Sequence, residues 1–228
     1  MSKWIQLGSD IVPSNERSND ELKVSLSADG LTLAVGSPWT DSNGLIDSGE
    51  VKIYRYINNS WELLGKAIGG EGIEDNFGKA IDISYDGNMV VIGAPYNDGN
   101  GRHSGHVRVY QYKDNEWVQM GGDIDGLDDN DWFGSWVEIT GNPQLKIQEY
   151  NTEFYGYEFL PNLVVGAPNA SGLEFAPKAN LGIGSVRTYV WNSSSGEWKP
   201  ISRDFDPLDP NNDEKKLYNI NGQNQSEY

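Results

Sequence analysis

The sequence predicts an all-β fold: about three β-propeller-like repeats, each a four-stranded antiparallel blade, forming an incomplete or open propeller. Three observations predict it. A set of motifs recurs at a spacing of 56 or 57 residues, each copy holds four short strand signals, and Asp-Gly and Gly-Ser/Ala-Pro turns separate them. The composition fits. The 228 residues include 27 glycines, 8 tryptophans and 12 tyrosines against 37% hydrophobic residues, the balance of a chain with many turns and large aromatic packing groups.

The second copy shows the elements most clearly, with strands expected at 78–84, 88–94, 105–112 and 116–121. Ile81 and Ile83 alternate with Asp82 and Ser84, and Val107 and Val109 with Arg108 and Tyr110, the period of a half-buried strand. Asp86-Gly87 is a tight hairpin, because glycine accepts a positive φ. Pro95 ends the second strand, having no N–H for a ladder. The first copy repeats these features as Asp29-Gly30, Gly36-Ser37-Pro38, Ser48-Gly49, Tyr54-Arg55-Tyr56 and Trp61. The third has Phe133-Gly134, Gly166-Ala167-Pro168, Gly184-Ser185-Val186, Tyr189 and Trp198, interrupted by insertions around 141–160 and 171–181. The blades therefore run over about 22–65, 78–121 and 134–201, within one repeat domain of residues 1–203. Residues 4–8, Trp-Ile-Gln-Leu-Gly, carry the last-strand motif ahead of any blade. Residues 204–228 lose the pattern and read as a degenerate fourth repeat and flexible polar tail. Nothing reads as an amphipathic helix.

The succession Phe77-Gly78, Asp86-Gly87, Gly93-Ala94-Pro95 and Gly105-His106-Val107-Arg108-Val109-Tyr110 resembles the FG-GAP repeat of integrin α-subunit β-propellers and of many bacterial, algal and viral surface proteins. The resemblance covers residues 4–201. It implies recognition or adhesion without catalysis, through loops on one propeller face, with a protein or glycan as partner and display outside the cell or on a virion. Two departures stand out. The family's D-x-D-x-D-G calcium loop is reduced to Ser27-Ala28-Asp29-Gly30 and Ser84-Tyr85-Asp86-Gly87, one carboxylate each. Propellers use about 4–8 blades, so three must be a fragment, an open arc, or part of a ring completed by association as a homo-oligomer.

Charge and composition exclude several functions. Seventeen Lys and Arg against 34 Asp and Glu give a net charge of −17, which opposes nucleic-acid phosphates and anionic membrane surfaces. There is no cysteine, hence no disulfide scaffold, thiolate metal site or Cys nucleophile. No apolar run is long enough to span a membrane, and the first residues do not form a signal peptide.

Candidate site residues fall in three groups. Thr40-Asp41 and Asn97-Asp98 follow the Gly-Ser/Ala-Pro turns and mark repeated polar loops on a binding face, although Asn and Asp also close such turns on their own backbone. Tyr150, Tyr155 and Tyr157 lie in the aromatic insertion at 141–160, where a specific contact surface is expected on a repeat scaffold. Asp123, Asp125, Asp128, Asp129 and Asp131 form an acidic run with enough oxygens for Ca2+, though without EF-hand spacing; otherwise it is a solvated inter-blade loop. No other cofactor is indicated. Trp4, Trp61, Trp117 and Trp198, one per copy, read as blade packing.

Catalysis has no visible machinery. The two histidines, His103 and His106, share one loop, and His106 stands where copy one has Glu50, as drift at an exposed position would allow. No G-x-S-x-G or H-E-x-x-H motif occurs. The reading is therefore a non-enzymatic recognition module. Its alternatives are an assembly module pairing blade edges between copies, a polysaccharide-active hydrolase, and a fragment without function of its own.

Overall fold

The computed structural model describes residues 3–12, 21–141, 162–170 and 184–200. Among these there is no helix, and the strands form three antiparallel sheets. The first contains β1 (Lys23–Leu26), β2 (Thr32–Ser37), β3 (Glu50–Ile57), β4 (Ser60–Leu63) and the short β5 (Ile68–Gly69). The second contains β6 (Ala80–Ile83), β7 (Met89–Ala94), β8 (His106–Lys113), β9 (Glu116–Gln119) and the short β10 (Ile124–Asp125). The third contains β11 (Trp136–Thr140), β12 (Asn162–Ala167), β13 (Ser185–Asn192) and β14 (Glu197–Pro200). Each runs as an up-and-down meander, and no sheet closes on itself.

Two blades are five-stranded where four strands were expected. The reason is length: β3 has eight residues and β4 only four. Glu50 and Val51 therefore extend beyond β4, and Ile68–Gly69 pairs with them. His106 and Val107 take up Ile124–Asp125 in the same way.

The sheets stack face to face, and the core lies in the two seams between them. The middle strand β7, MVVIGA, is buried along its whole length. Val90, Ile92 and Ala94 join the first seam with Ile53 and Phe77, while Met89 and Val91 join the second with Val109, Phe133 and Leu163. A strand with both faces covered needs no polar alternation, which is why this run is continuously apolar.

Backbone proximity explains the repeated glycines. A Cβ on Gly93 would lie 2.0 Å from the Gly134 carbonyl oxygen, and one on Gly36 2.4 Å from that of Gly78. The turn glycines of the first two blades thus abut the Phe-Gly glycine of the next blade, whereas Gly166 meets Trp136 of its own blade. The seams are also stitched alike: Phe77 N–H donates to Ser48 O (2.9 Å) and Phe133 N–H to Ser104 O (3.0 Å). Along the three first strands, Asp82 accepts from Ser25 Oγ at 2.7 Å and from the Ile139 N–H at 2.9 Å.

The tryptophans form a third stitch. Trp61 Nε1 donates to Leu7 O, Trp117 to Leu64 O and Trp198 to Met120 O, at 2.9, 2.8 and 3.0 Å. Each also packs on an aromatic neighbour in its blade, Tyr56, Tyr112 or Trp191. Trp4 departs from this pattern. It is 99% exposed, because among the described residues no third strand lies beside it.

Candidate functional site

The loops after β2 and β7 and the connections between blades meet at one end of the sheets. Glu74 N–H donates to Ile46 O (2.8 Å) and Asn76 N–H to Asp47 O (3.1 Å). One copy later, Asn130 N–H donates to Arg102 O (2.7 Å) and Trp132 N–H to His103 O (3.2 Å). Asn97 Nδ2 joins the two sets by donating to Asp75 (2.8 Å) and Glu71 (3.3 Å). The Asp-Gly hairpins lie at the other end, linked by Ala28 N–H to Tyr85 O (3.1 Å).

This loop face is strongly acidic. Asp41, Asp47, Glu71, Glu74, Asp75, Asp98, Asp123, Asp125, Asp128, Asp129 and Asp131 lie on the four segments 38–49, 70–78, 95–105 and 122–134, where Arg102 is the single Lys or Arg.

Thr40 and Asn97 occupy matching places. The Thr40 carbonyl accepts from Gly49 N–H at 2.9 Å, and that of Asn97 from Gly105 N–H at 3.0 Å. Asp41 accepts from Asp47 N–H (2.9 Å) and Asp98 from His103 N–H (2.6 Å). These four residues close their own loops, and of the four Asn97 reaches the neighbouring inter-blade loop as well. Tyr150, Tyr155 and Tyr157 lie outside the described residues.

The acidic run does not converge. Asp123 accepts from Arg108 Nε and Nη2 at 2.7 and 2.6 Å. Asp129 accepts from Arg102 N–H (3.1 Å). Asp131 accepts from the N–H groups of Leu127 and Asp128 at 3.2 and 3.1 Å. Burial raises the pKa of both Asp125 and Asp131. The hydrogen bond from Arg108 holds that of Asp123 below the usual carboxylate range. Among the described residues, the three metal-ligating side chains that meet are instead Glu71, His106 and Asp123, with one ligand atom each within 4.8 Å of the others.

Arg108 already fills the space between those two carboxylates, pairing with both Glu71 and Asp123. Burial opposes its charge, but the hydrogen bonds that it donates to Asp123 and Glu71 outweigh that cost and raise its pKa. A cation would have to displace the guanidinium. His106 is not at an exposed position: as the first residue of β8 it is 1% exposed. Its ring meets Phe77 edge-on at 6.4 Å, and burial, helped by the Arg108 charge, lowers its pKa to about 4. It is neutral at pH 7, and its Nε2 has no hydrogen-bond partner among the described residues. The group is an ion-pair network over a buried imidazole.

The Asp-Gly hairpins hold their carboxylates locally. Ser27 Oγ donates to Asp29 at 2.6 Å and Ser84 Oγ to Asp86 at 2.7 Å.

An aromatic group stands beside the acidic network. The Tyr96 ring lies 5.5 Å from that of His103 and 5.7 Å from that of Trp132, both edge-to-face. All three are half-buried. The sequence reading weighed His103 only beside His106, and it passed over Tyr96, Trp132 and Glu71 and took Arg108 only as part of a strand pattern. The available signal was the contrast between copies, in which Trp132 stands where copy one has Asn76.

A run from the first inter-blade loop to the third strand of the second blade carries this geometry. Residues 71–110 match the FG-GAP repeat. Within the matched residues, Phe77 fills the first seam and Gly93-Ala94-Pro95 leads into the loop of Asn97. No curated protein matches the chain. Two solved structures are similar at 12% identity. One is a Bacteroides uniformis protein provisionally described as a 6-phosphogluconolactonase (TM-score 0.45, covering 81% of this chain and 39% of that one). The other is the periplasmic gluconolactonase of Pseudomonas aeruginosa (TM-score 0.36, covering 79% and 44%). The chain thus spans less than half the length of either.

Proposed function

We propose that this chain is a non-enzymatic recognition module that binds a protein ligand through its acidic loop face, displayed outside the cell or on a virion. The carrying observation is the clustering of carboxylates on loops fixed by backbone hydrogen bonds at one end of the sheets. Such a face attracts cationic partners and speeds their encounter. The FG-GAP match supports a binding role, and the ion-pairing of Arg108 and burial of His106 leave no nucleophile with an adjacent base in this cluster.

The test is an array of peptides and glycans probed with the whole chain. Two variants accompany it: Asp98→Asn/Asp128→Asn/Asp129→Asn on the loop face, and Asp114→Asn/Glu116→Gln at the opposite end. Discrete peptide hits, weakened by added salt and lost only in the loop-face variant, are expected. Hits that survive loop-face neutralisation, or no hits, overturn the reading.

A further inference from the structure

The second copy departs from the first at three neighbouring positions. Where copy one has Trp39, Asp47 and Asn76, copy two has Tyr96, His103 and Trp132. The backbone is alike in both: Asn76 and Trp132 have φ of 54° and 55°, and Asp47 and His103 both have 50°. Asparagine tolerates this left-handed conformation, whereas a bulky tryptophan is strained in it. The exchange has a second cost. Asn76 Nδ2 stitches the loops by donating to Pro38 O at 3.2 Å and Asp47 O at 3.1 Å. Trp132 leaves its indole N–H buried without a partner among the described residues. Breaking local rules in this way marks functional sites. What the exchange supplies is the aromatic group around Tyr96.

Copy one shows what such a ring takes. Lys79 Nζ stands 5.3 Å from the centroid of Trp39, the counterpart of Tyr96. The residue one repeat after Lys79 is Ser135, whose Oγ donates to Trp132 O at 2.7 Å. Among the described residues, no Lys or Arg lies over Tyr96, His103 or Trp132. Exposed Asp98, Asp128 and Asp129 lie on the same loops as the rings, with Asp98 accepting from the His103 N–H at 2.6 Å. We propose that Tyr96, His103 and Trp132 form a site for a lysine ammonium of a protein partner, which takes the place that Lys79 holds over Trp39. Aromatic faces attract such a cation, and nearby carboxylates reinforce the attraction. This site names the ligand chemistry of the loop face and rests on that reading.

The test is calorimetric titration of the whole chain with hexalysine, against its fully Nε-acetylated form. Hexalysine binds and the acetylated peptide does not. Trp132→Asn restores the copy-one residue in a backbone that suits it, and Tyr96→Leu keeps bulk without a π face; each weakens binding about threefold or more. Ser135→Lys supplies the chain's own ammonium and weakens binding more than Leu127→Lys, which makes the same charge change on exposed Leu127. If the two ring variants bind like the parent and Ser135→Lys is no worse than Leu127→Lys, the ring site is refuted while the acidic face stands. Equal binding of the acetylated peptide refutes it too. If hexalysine does not bind the parent chain, the lysine assignment is refuted. A glycan hit on the array that Trp132→Asn abolishes would then give the rings to a sugar instead.

Discussion

Alanine at the first glycine of each Gly-Ser/Ala-Pro turn makes a graded test of how the blades meet. On Gly93 the new Cβ would stand 2.0 Å from Gly134 O, on Gly36 2.4 Å from Gly78 O, and on Gly166 3.2 Å from the Trp136 Cβ. The first two contacts are with backbone, which cannot swing aside. All three glycines lie in strands with ordinary φ, so the substitution itself suits the local conformation. Overpacking costs about 1–3 kcal/mol, and this geometry puts Gly93→Ala at the upper end. Loss of freedom in the unfolded chain returns about 0.4–1 kcal/mol. The net expectation is about 2 kcal/mol of destabilisation for Gly93→Ala, slightly less for Gly36→Ala, and within about 0.5 kcal/mol of zero for Gly166→Ala. In a chain of this size, the first value lowers Tm by roughly 4–8 °C. Urea unfolding of the three variants, with m unchanged, measures the series. Equal costs at Gly93 and Gly166 would refute the reasoning, because the blade seam would then not be what demands glycine.

Three further outcomes are expected. Trp117→Phe loses the bond to Leu64 O and destabilises by about 1 kcal/mol, whereas Trp4→Phe, at an exposed position, changes nothing measurable in the same unfolding assay. His106 has a folded pKa of about 4 against an ordinary 6.5, so on acidification the unfolded chain takes up the proton first. The stability that its neutrality contributes is complete above pH 6.5 and declines between pH 6.5 and 4, by at most about 3 kcal/mol. The difference in unfolding free energy between the parent and His106→Leu, followed from pH 7.5 to 4, should show that slope. Arg108→Met leaves Glu71 and Asp123 facing each other without their cation, raises the Asp123 pKa in a carboxyl NMR titration, and costs about 1–3 kcal/mol.

The strands were legible in the sequence because their causes are local. Alternation at Ile81–Ser84, glycine at the Asp-Gly turns and proline after Gly93-Ala94 each act within a few residues. β5 and β10 were not legible, since two residues have no period and both exist only because the third strand outruns the fourth. His106 aligns with Glu50, a residue type that belongs at a surface, and only the seam against Phe77 reveals its burial. Trp4 carries the same motif as Trp61 and Trp117, but the motif cannot say whether a neighbouring strand is there to receive it. The acidic run illustrates the limit for sites. Five aspartates close in sequence look like one ligand set, yet Asp123 turns to Arg108, Asp129 to the Arg102 N–H, and Asp131 to the backbone of its own loop. Proximity along a turning loop does not fix the direction of a side chain. Asn97 accepts from the Gly99 N–H two residues on, the Asx chemistry visible in the sequence, whereas Asp41 and Asp98 reach backbone six and five residues on, and the aromatic group required comparing one copy with the next.

The two stitched seams have a thermodynamic consequence. With the same backbone bonds and the same glycine contacts recurring from blade to blade, the array behaves as a row of units with nearest-neighbour coupling. Total stability is then an intrinsic contribution per blade plus one increment per seam. The middle blade has two such increments and the outer blades one each. Unfolding is therefore expected to begin at an outer sheet and travel inward, with β7, covered on both faces, the last strand to exchange its amide protons.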